Sequence, residues 1–279
     1  MHALPLLIAF ITAAALAPSL LRALEASEHV RLNHRGRMLS FPLGALILAA
    51  AFVAVVPLAL VQQLGSGDVF HAEAVLISVY ALGVIALGLL DDMLGTRPGG
   101  PSPRGWRGHG AAVLRGELST GALKAVGALG LALFVTSFQG LSDGRWLLAS
   151  AVLVLATHLF NLLDLRPGRA TKALVVLGTG LLIGSQDARP LWSLGLFAGP
   201  ALVAGAYDLR ERGMLGDSGA SLLGAIAGLW MVLTLSGTGQ AIALALLAAL
   251  TVYGELHSIS ELIERTGALR RLDSWGRPS

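Results

Sequence analysis

The sequence predicts an all-α polytopic membrane protein, and its composition and the distribution of its charges carry that prediction. Of the 279 residues, 54% are hydrophobic and only 13% are charged, whereas an ordinary soluble domain has about 25% charged residues. The mean hydropathy is +0.72. So few charges could not cover the surface of a soluble protein of this length, and so apolar a chain is not disordered. We therefore expect lipid to surround most of it.

Composition also excludes several other classes. The chain has no cysteine, which excludes a disulfide framework and any cysteine-based metal site. The net charge of +3 is small and the basic residues do not form one block, so we expect no nucleic-acid partner. The 35 glycines indicate helices that pack closely in lipid.

Nine segments are candidates for crossing the membrane, because a helix needs about 20 mostly apolar residues to span the hydrocarbon core. They are residues 2–21, 42–63, 73–90, 120–138, 146–164, 171–185, 190–206, 219–236 and 239–257. The sixth and seventh are short, and the alternative is that they form one broken hairpin.

The basic residues predict the orientation. No Lys or Arg precedes the first segment and Arg22 follows it, which places the N-terminus outside. Alternation of the spans then puts every basic residue except Arg145 and Arg189 on one side, so that side and the C-terminus are predicted to be cytoplasmic. The chain is interpreted as one transmembrane domain, residues 1–279. Its cytoplasmic parts are loops at about 22–41, 91–119, 165–171 and 207–218 and a C-terminal arm at 258–279.

Two adjacent carboxylates, Asp91 and Asp92, end the third segment. A helix C-terminus carries partial negative charge and the two groups repel each other, so their placement has a cost. A divalent cation would offset it, and carboxylate oxygens suit Mg²⁺. The alternative is a solvated pair at the membrane surface. The connection that follows is rich in glycine, proline and arginine and contains His109 and Arg115. It is interpreted either as a loop that binds phosphate or as a basic linker near anionic lipid.

A second cluster lies at the end of the fifth segment. Asn161 and Asp164 are three residues apart and share a helix face, and Arg166 and Arg169 follow closely. This mixture suits a site for phosphate and metal. The alternative is a helix stop at 167–168, with the arginines reaching lipid head groups.

Asp217 stands just before the eighth segment. It is either a helix N-cap or a metal ligand at a helix N-terminus that also attracts phosphate. Beyond it, Ala220, Gly224 and Gly228 form a ridge of small residues that predicts close helix packing.

These motifs occur along the chain in the same order as the motifs of a known family. The chain resembles the polyprenyl-phosphate N-acetylhexosamine-1-phosphate transferases, glycosyltransferase family 4, which include phospho-N-acetylmuramoyl-pentapeptide transferase and undecaprenyl-phosphate GlcNAc-1-phosphate transferases. The similarity begins at residues 33–37 (Asn-His-Arg-Gly-Arg) and extends to the C-terminal arm. Asp91–Asp92 resembles the family's aspartate pair, and Lys124 its lysine at the start of the fourth span. Residues 161–168 resemble its Asn-x-x-Asp-Gly-x-Asp-Gly motif, and residues 216–220 its Gly-Asp-x-Gly-Ser motif.

The resemblance implies a Mg²⁺-dependent transfer of a phosphosugar from a UDP-sugar to a polyprenyl phosphate, in cell-envelope glycan synthesis at the cytoplasmic face of the cell membrane; Mn²⁺ is the alternative metal. Asp217 would hold the metal, and the implied catalytic residues are Asp91, Asp92 and Asp164. The implied substrate-binding residues are Asn33, Arg35, His109, Arg115, Lys124, Asn161, Arg166 and Arg169. A homodimer is also compatible with the sequence.

The chain departs from the family's pattern at several positions. Pro167 and Leu165 replace an aspartate and a glycine of the motif, Met214 replaces a phenylalanine, and the arm lacks the family's histidines. Two alternative functions therefore stay open. One is a catalytically reduced relative that binds lipid phosphate or acts as a scaffold, and the other is a transporter, which would place charges near the middle of the membrane.

Overall fold

A computed structural model of the protein describes residues 3–65, 69–95 and 119–278. These residues form twelve helices and one short hairpin. The helices are α1 Leu4–Ala26, α2 Gly44–Leu64, α3 Ala72–Leu94, α4 Thr120–Ser137, α5 Asp143–Leu163, α6 Arg169–Ser185, α7 Arg189–Ser193, α8 Gly195–Leu209, α9 Gly216–Thr234, α10 Gly237–Leu256, α11 Ile259–Arg265 and α12 Gly267–Ser274; the strands are β1 Val30–Leu32 and β2 Met38–Ser40.

The predicted class, an all-α polytopic membrane protein, is confirmed. Seven of the described helices, α1 to α5, α9 and α10, are long and apolar enough to cross a membrane. The two short segments are helical too, but α6 has 17 residues and α8 has 15, and the predicted segment 190–206 is divided between α7 and α8 at Leu194. Because α6 and α8 follow one another among the candidate spans, with only the five-residue α7 between them, counting both or neither as spans leaves the sides of all the other connections unchanged. The count of nine and the orientation remain predictions.

Helix α9 is the centre of the bundle. Over its most apolar 18 residues, 83% are buried, against 17–44% for the other six long helices. It packs against α3, α5, α6 and α2. A Cβ atom on Gly224 would lie 2.5 Å from the carbonyl oxygen of Ala156, and one on Gly228 would lie 3.1 Å from Cα of Leu153. The predicted ridge of small residues is therefore confirmed as the contact between α9 and α5.

The other helices enclose this centre. Helix α1 packs against α8 and α2, α4 packs against α3 and α5, and α10 packs against α5. Large apolar side chains such as Ile11, Phe52 and Val126 remain exposed on the outer helix surfaces. An apolar surface over a whole bundle is unfavourable in water, whereas it is the expected surface of a protein that contacts the hydrocarbon core of a membrane.

The hairpin fastens the start of α9. The Met214 N–H donates to the Ser40 carbonyl oxygen at 3.0 Å, and the Leu43 N–H donates to the Met214 carbonyl oxygen at 2.9 Å. Residues 40–44 and the segment before α9 thus run together as a hydrogen-bonded pair. As a result, the segment that precedes α2 holds the N-terminus of α9 in position through backbone hydrogen bonds.

Candidate functional site at the N-terminus of helix α9

Asp92 lies at the end of α3 and binds the first turn of α9. Its Oδ1 accepts the Asp217 N–H at 2.7 Å, and its Oδ2 accepts the Ser218 N–H at 3.0 Å and the Ser218 hydroxyl at 2.6 Å. The residue is 6% exposed. The N–H groups of a first turn lack partners within their own helix and carry partial positive charge, so they stabilise a carboxylate. The expected compensation for the Asp91–Asp92 pair therefore comes, for Asp92, from a helix N-terminus.

Glycines make this approach possible. A Cβ atom on Gly88 would lie 2.6 Å from the backbone nitrogen of Ser218, and one on Gly44 would lie 2.9 Å from the nitrogen of Gly219. Gly216 has a φ of +73°, and a side chain there would also meet Asp92 Oδ2 at 2.8 Å. Backbone from α2, α3 and α9 is thus in direct contact around Asp92.

Lys124 joins the other two carboxylates of this region. From the second turn of α4, its Nζ lies 3.4 Å from Asp91 Oδ2 and 3.2 Å from Asp217 Oδ1. Asn161, in the last turn of α5, also hydrogen-bonds to the Asp217 side chain. Side chains from four helices therefore meet at one point. The Asp217 side chain is 36% exposed and the Asp91 side chain 14%, so Asp217 is the more accessible carboxylate.

Asp217 is not the N-cap of α9. Leu215 holds that position, Asp217 lies in the first helical turn, and no side chain caps the helix within its own chain segment. The capping acceptor is instead Asp92, 125 residues earlier. This leaves the Asp217 carboxylate free to face Lys124 and Asn161.

Asp164 lies beside this cluster, in a cleft between the turn after α5 and the segment before α9. The cleft occupies about 370 Å³ including its open mouth, and Asp208, Arg166 and His34 also line it. Desolvation raises the pKa of Asp164 well above its ordinary value, and the neighbouring carboxylates of Asp208 and Asp217 raise it further. Asp164 thus retains its proton to a higher pH than an ordinary aspartate, and a cation bound nearby would favour its ionised form.

Two cationic or titratable side chains line the cleft. Arg166 is partly exposed. Its Nη2 atom lies 3.7 Å from Glu264 Oε1, so the two side chains form a loose ion pair. Burial lowers the pKa of His34, and the charge of Arg166 lowers it further. The neutral form of His34 is therefore favoured, while Arg166 supplies a positive charge that an anionic ligand could use.

Asp208 shapes the cleft from α8. Its Oδ2 accepts the Gly168 N–H at 2.7 Å, and the backbone of Leu215 also donates to its carboxylate. It therefore ties the turn before α6 to the segment before α9. Asp208 was not among the residues predicted from the sequence. The signal that could have identified it is an acid at the end of an apolar segment, where buried charge is costly.

Asn33 and Arg35 lie in the turn between β1 and β2, where they contact Glu211. Asn33 Nδ2 donates to Glu211 Oε2 at 3.1 Å, and Arg35 Nε lies 3.3 Å from Glu211 Oε1. Glu211 is 2% exposed and was also not singled out. Asn33 reaches the rim of the cleft, but Arg35 is engaged with Glu211 and with the Pro278 carbonyl oxygen.

Arg169 has partners in the C-terminal arm. Its Nε and Nη2 donate to the two carboxylate oxygens of Asp273 at 2.9 and 3.1 Å, and its Nη1 donates to Ser260 at 3.0 Å. It is 5% exposed. The predicted phosphate contact would require this two-bond ion pair to break, so the geometry favours Arg169 as the attachment point of the arm.

The donor set also bears on the expected metal. Among the described residues, no group of three His, Asp or Glu side chains is arranged to hold a metal ion. Mg²⁺ in phosphate-handling sites commonly binds one or two carboxylates and completes its shell with water and substrate phosphates. Asp217 and Asp91, which share the cation Lys124, fit that pattern.

The structure thus brings together Asp91, Asp92, Lys124, Asn161, Asp164 and Asp217 around the start of α9. Arg166 and Asn33 line the adjoining cleft, whereas Arg35 and Arg169 are bound elsewhere. His109 and Arg115 lie outside the described residues. No family model matches the chain, and a search of curated proteins gives no match. What the structure establishes is a helical, membrane-type architecture with a buried polar cluster at one end of its central helix.

Proposed function

We propose that the protein transfers a phosphosugar from a nucleotide sugar, with UDP as the expected nucleotide, to a polyprenyl phosphate, at the face of the cell membrane predicted to be cytoplasmic. One observation carries the proposal: Lys124 bridges Asp91 and Asp217 beside the N-terminus of α9, whose first N–H groups are bound by Asp92. Carboxylates and an ammonium group in one place are groups that bind phosphates and their counter-ions.

The position of the cluster agrees with this chemistry. It joins the C-terminal ends of α3 and α5 to the N-terminal ends of α4 and α9, so it lies at one end of the bundle. A phosphate on a membrane lipid also lies at that level, while a nucleotide sugar arrives from water. We find no described charged cluster midway along the long helices that would favour a transporter.

In the proposed reaction, an oxygen of the lipid phosphate attacks the β-phosphorus of the nucleotide sugar. The bond between that phosphorus and the bridging oxygen breaks, and the nucleoside monophosphate leaves with the electron pair. Asp91 would position the attacking phosphate or accept its proton, and Lys124 would attract the transferred phosphoryl group. Mg²⁺, which Asp217 would hold, would supply charge neutralisation on the diphosphate.

The cleft beside Asp164 is the proposed place for the donor. Arg166 provides a cation for the diphosphate, and His34 provides a hydrogen-bonding group for uncharged parts of the ligand. Pro167 stands where the family has an aspartate, and its carbonyl oxygen accepts a hydrogen bond from Arg277 at 2.7 Å. This hydrogen bond attaches the altered motif to the C-terminal arm.

The test uses the full-length protein in lipid nanodiscs with polyprenyl phosphate, Mg²⁺ and a panel of nucleotide sugars. We expect release of nucleoside monophosphate from at least one donor, and a fall of about 100-fold or more for Asp217→Asn, because loss of one electrostatic stabiliser costs that much. Asp187→Asn is the matched control, since Asp187 is an aspartate at the opposite end of the bundle that pairs with Arg189.

Two outcomes would overturn the proposal. One is no release from any donor by well-folded protein, together with Mn²⁺ binding by Asp217→Asn equal to that of the parent. The other is equal loss of activity in Asp217→Asn and Asp187→Asn. Binding of polyprenyl phosphate without turnover would favour the catalytically reduced alternative.

A further inference from the structure

The last helix, α12, has two different faces. Leu269 and Leu272 are three residues apart, Trp275 follows three residues later, and such spacing places them on one side of a helix. They are 42%, 43% and 73% exposed, and none of the helix's residues is buried. A soluble surface seldom leaves two leucines and a tryptophan side by side in water.

The opposite face of α12 is basic. Arg270 and Arg271 are exposed, and the described part of the chain provides neither of them with an ion-pair partner. Asp273 cannot serve them, since Arg169 and Arg277 occupy both of its oxygens. The two cations are therefore available to an external anion.

The helix is held firmly against the bundle on a third side. Lys172, in the first turn of α6, donates to the carbonyl oxygens of Leu272, Asp273 and Trp275. These contacts cap the C-terminal end of α12 with a positive charge, which its dipole favours. The orientation of α12 relative to the bundle is thus fixed by Lys172, Arg169 and Arg277.

The arm also starts at the level where α10 ends. Leu256, the last residue of that long apolar helix, is 72% exposed, and only two residues separate it from α11. A helix with leucine and tryptophan on one face and arginine on another, tethered at the end of a membrane span, has the chemistry of a helix that lies in the membrane interface.

We propose that α12 and Trp275 lie in the interface of an anionic bilayer. The side chains of Leu269, Leu272 and Trp275 enter the boundary between head groups and acyl chains, and Arg270 and Arg271 bind lipid phosphate. Two features favour lipid over a protein partner: the unpaired arginines complement anionic head groups, and the helix is tethered to a span. This inference is independent of the proposed transferase activity.

The absence of cysteine makes the test direct. Leu272→Cys and Ser274→Cys would each be labelled with an environment-sensitive fluorophore in the full-length protein, reconstituted in vesicles of phosphatidylcholine with phosphatidylglycerol. We expect the label at 272 to be quenched by lipids brominated in their acyl chains and protected from aqueous iodide. The label at 274, on the basic face, should show the reverse, and Leu269→Cys provides a second apolar position.

A charge variant tests the role of the arginines. In the Leu272→Cys protein, we expect Arg270→Ala with Arg271→Ala to raise iodide quenching at least twofold. Arg265→Ala is the control, because Arg265 pairs with Glu261 within α11, and it should leave the quenching unchanged.

Other results would overturn the inference. Equal iodide quenching of the labels at 272 and 274 would mean that the apolar face lies in water. Protection of the label at 272 from both iodide and brominated lipid would mean that protein, such as a second copy of the chain, covers it. Equal effects of the double variant and Arg265→Ala would remove the role assigned to the two arginines.

Discussion

The contact between α3 and α9 at Gly88 allows a quantitative prediction. A Cβ atom on Gly88 would lie 2.6 Å from the backbone nitrogen of Ser218 and 2.9 Å from the carbonyl carbon of Asp217. The atoms it meets belong to main chain, which cannot rotate away as a side chain can. Because nonbonded carbon contacts are optimal at about 3.5–4.0 Å, Gly88→Ala must separate the two helices by about 1 Å.

That separation has two costs. Overpacking a close contact costs about 1–3 kcal/mol. The same shift lengthens the hydrogen bonds from the Asp217 and Ser218 N–H groups to Asp92, and bonds to charged groups contribute about 1.5–3 kcal/mol each. The better helix propensity of alanine returns only about 1 kcal/mol. We expect a net loss of about 3 kcal/mol, which corresponds to roughly 6–12 °C in the unfolding midpoint.

The measurement is thermal unfolding of the purified protein in detergent. Unfolding is followed by circular dichroism or by the fluorescence of a dye that does not react with thiols, because the chain has no cysteine. Gly130→Ala is the matched control, since Gly130 is also a glycine within a long helix and nothing lies within 4 Å of a Cβ atom there. It should unfold at or slightly above the parent's midpoint. If Gly88→Ala unfolds within about 1 °C of Gly130→Ala, the reasoning on the close α3–α9 contact is refuted.

Three further predictions concern the polar groups. Asp92→Asn should lower the unfolding midpoint by several degrees, because an amide presents only one acceptor oxygen to the first turn of α9; a midpoint equal to the parent's would contradict the capping role. For the arm, burial alone would raise the pKa of Asp273, but hydrogen bonds from Arg169 and Arg277 lower it below its ordinary value. The stabilisation is therefore complete above the unfolded pKa of about 3.9 and is lost as pH falls through the folded value. Limited proteolysis should find the arm docked at pH 5–8 and released in stronger acid, and in Asp273→Asn already released at pH 7. Finally, Arg166→Ala should raise the KM for the nucleotide sugar with little change in the unfolding midpoint, and an unchanged KM would remove Arg166 from the donor site.

The length of the apolar runs was sufficient to predict the long apolar helices. Each of the nine predicted segments contains a helix, because twenty apolar residues in a row have few other ways to satisfy their backbone in lipid. The division of 190–206 at Leu194 was missed, since helix breaks within an apolar stretch depend on packing partners. Just after this break, Gly195 packs closely on α1: a Cβ atom there would lie 2.6 Å from the backbone nitrogen of Leu6.

The sequence predicted several residues of the candidate site, but it did not predict which groups their side chains would contact. Asp91 and Asp92 were singled out as an adjacent pair at the end of one apolar segment and Asp217 as an acid just before another, and the structure brings the three together. That Asp92 would bind backbone 125 residues away, leaving Asp217 to face Lys124, could not be read from local spacing. The pairing of Arg169 with Asp273, 104 residues away, could not be read from local spacing either.

The attachment of the arm to Arg169 has a consequence for biosynthesis. The turn that holds Asp164 obtains its contact from Arg277 only after that residue has been made, 110 residues after Pro167. During translation the helices up to α10 can enter the membrane and pack while this turn still lacks its support. The turn beside the polar cluster is therefore among the last parts of the protein to gain its contacts, and a chain that ends before residue 273 would form an inserted bundle in which the arm does not support this turn.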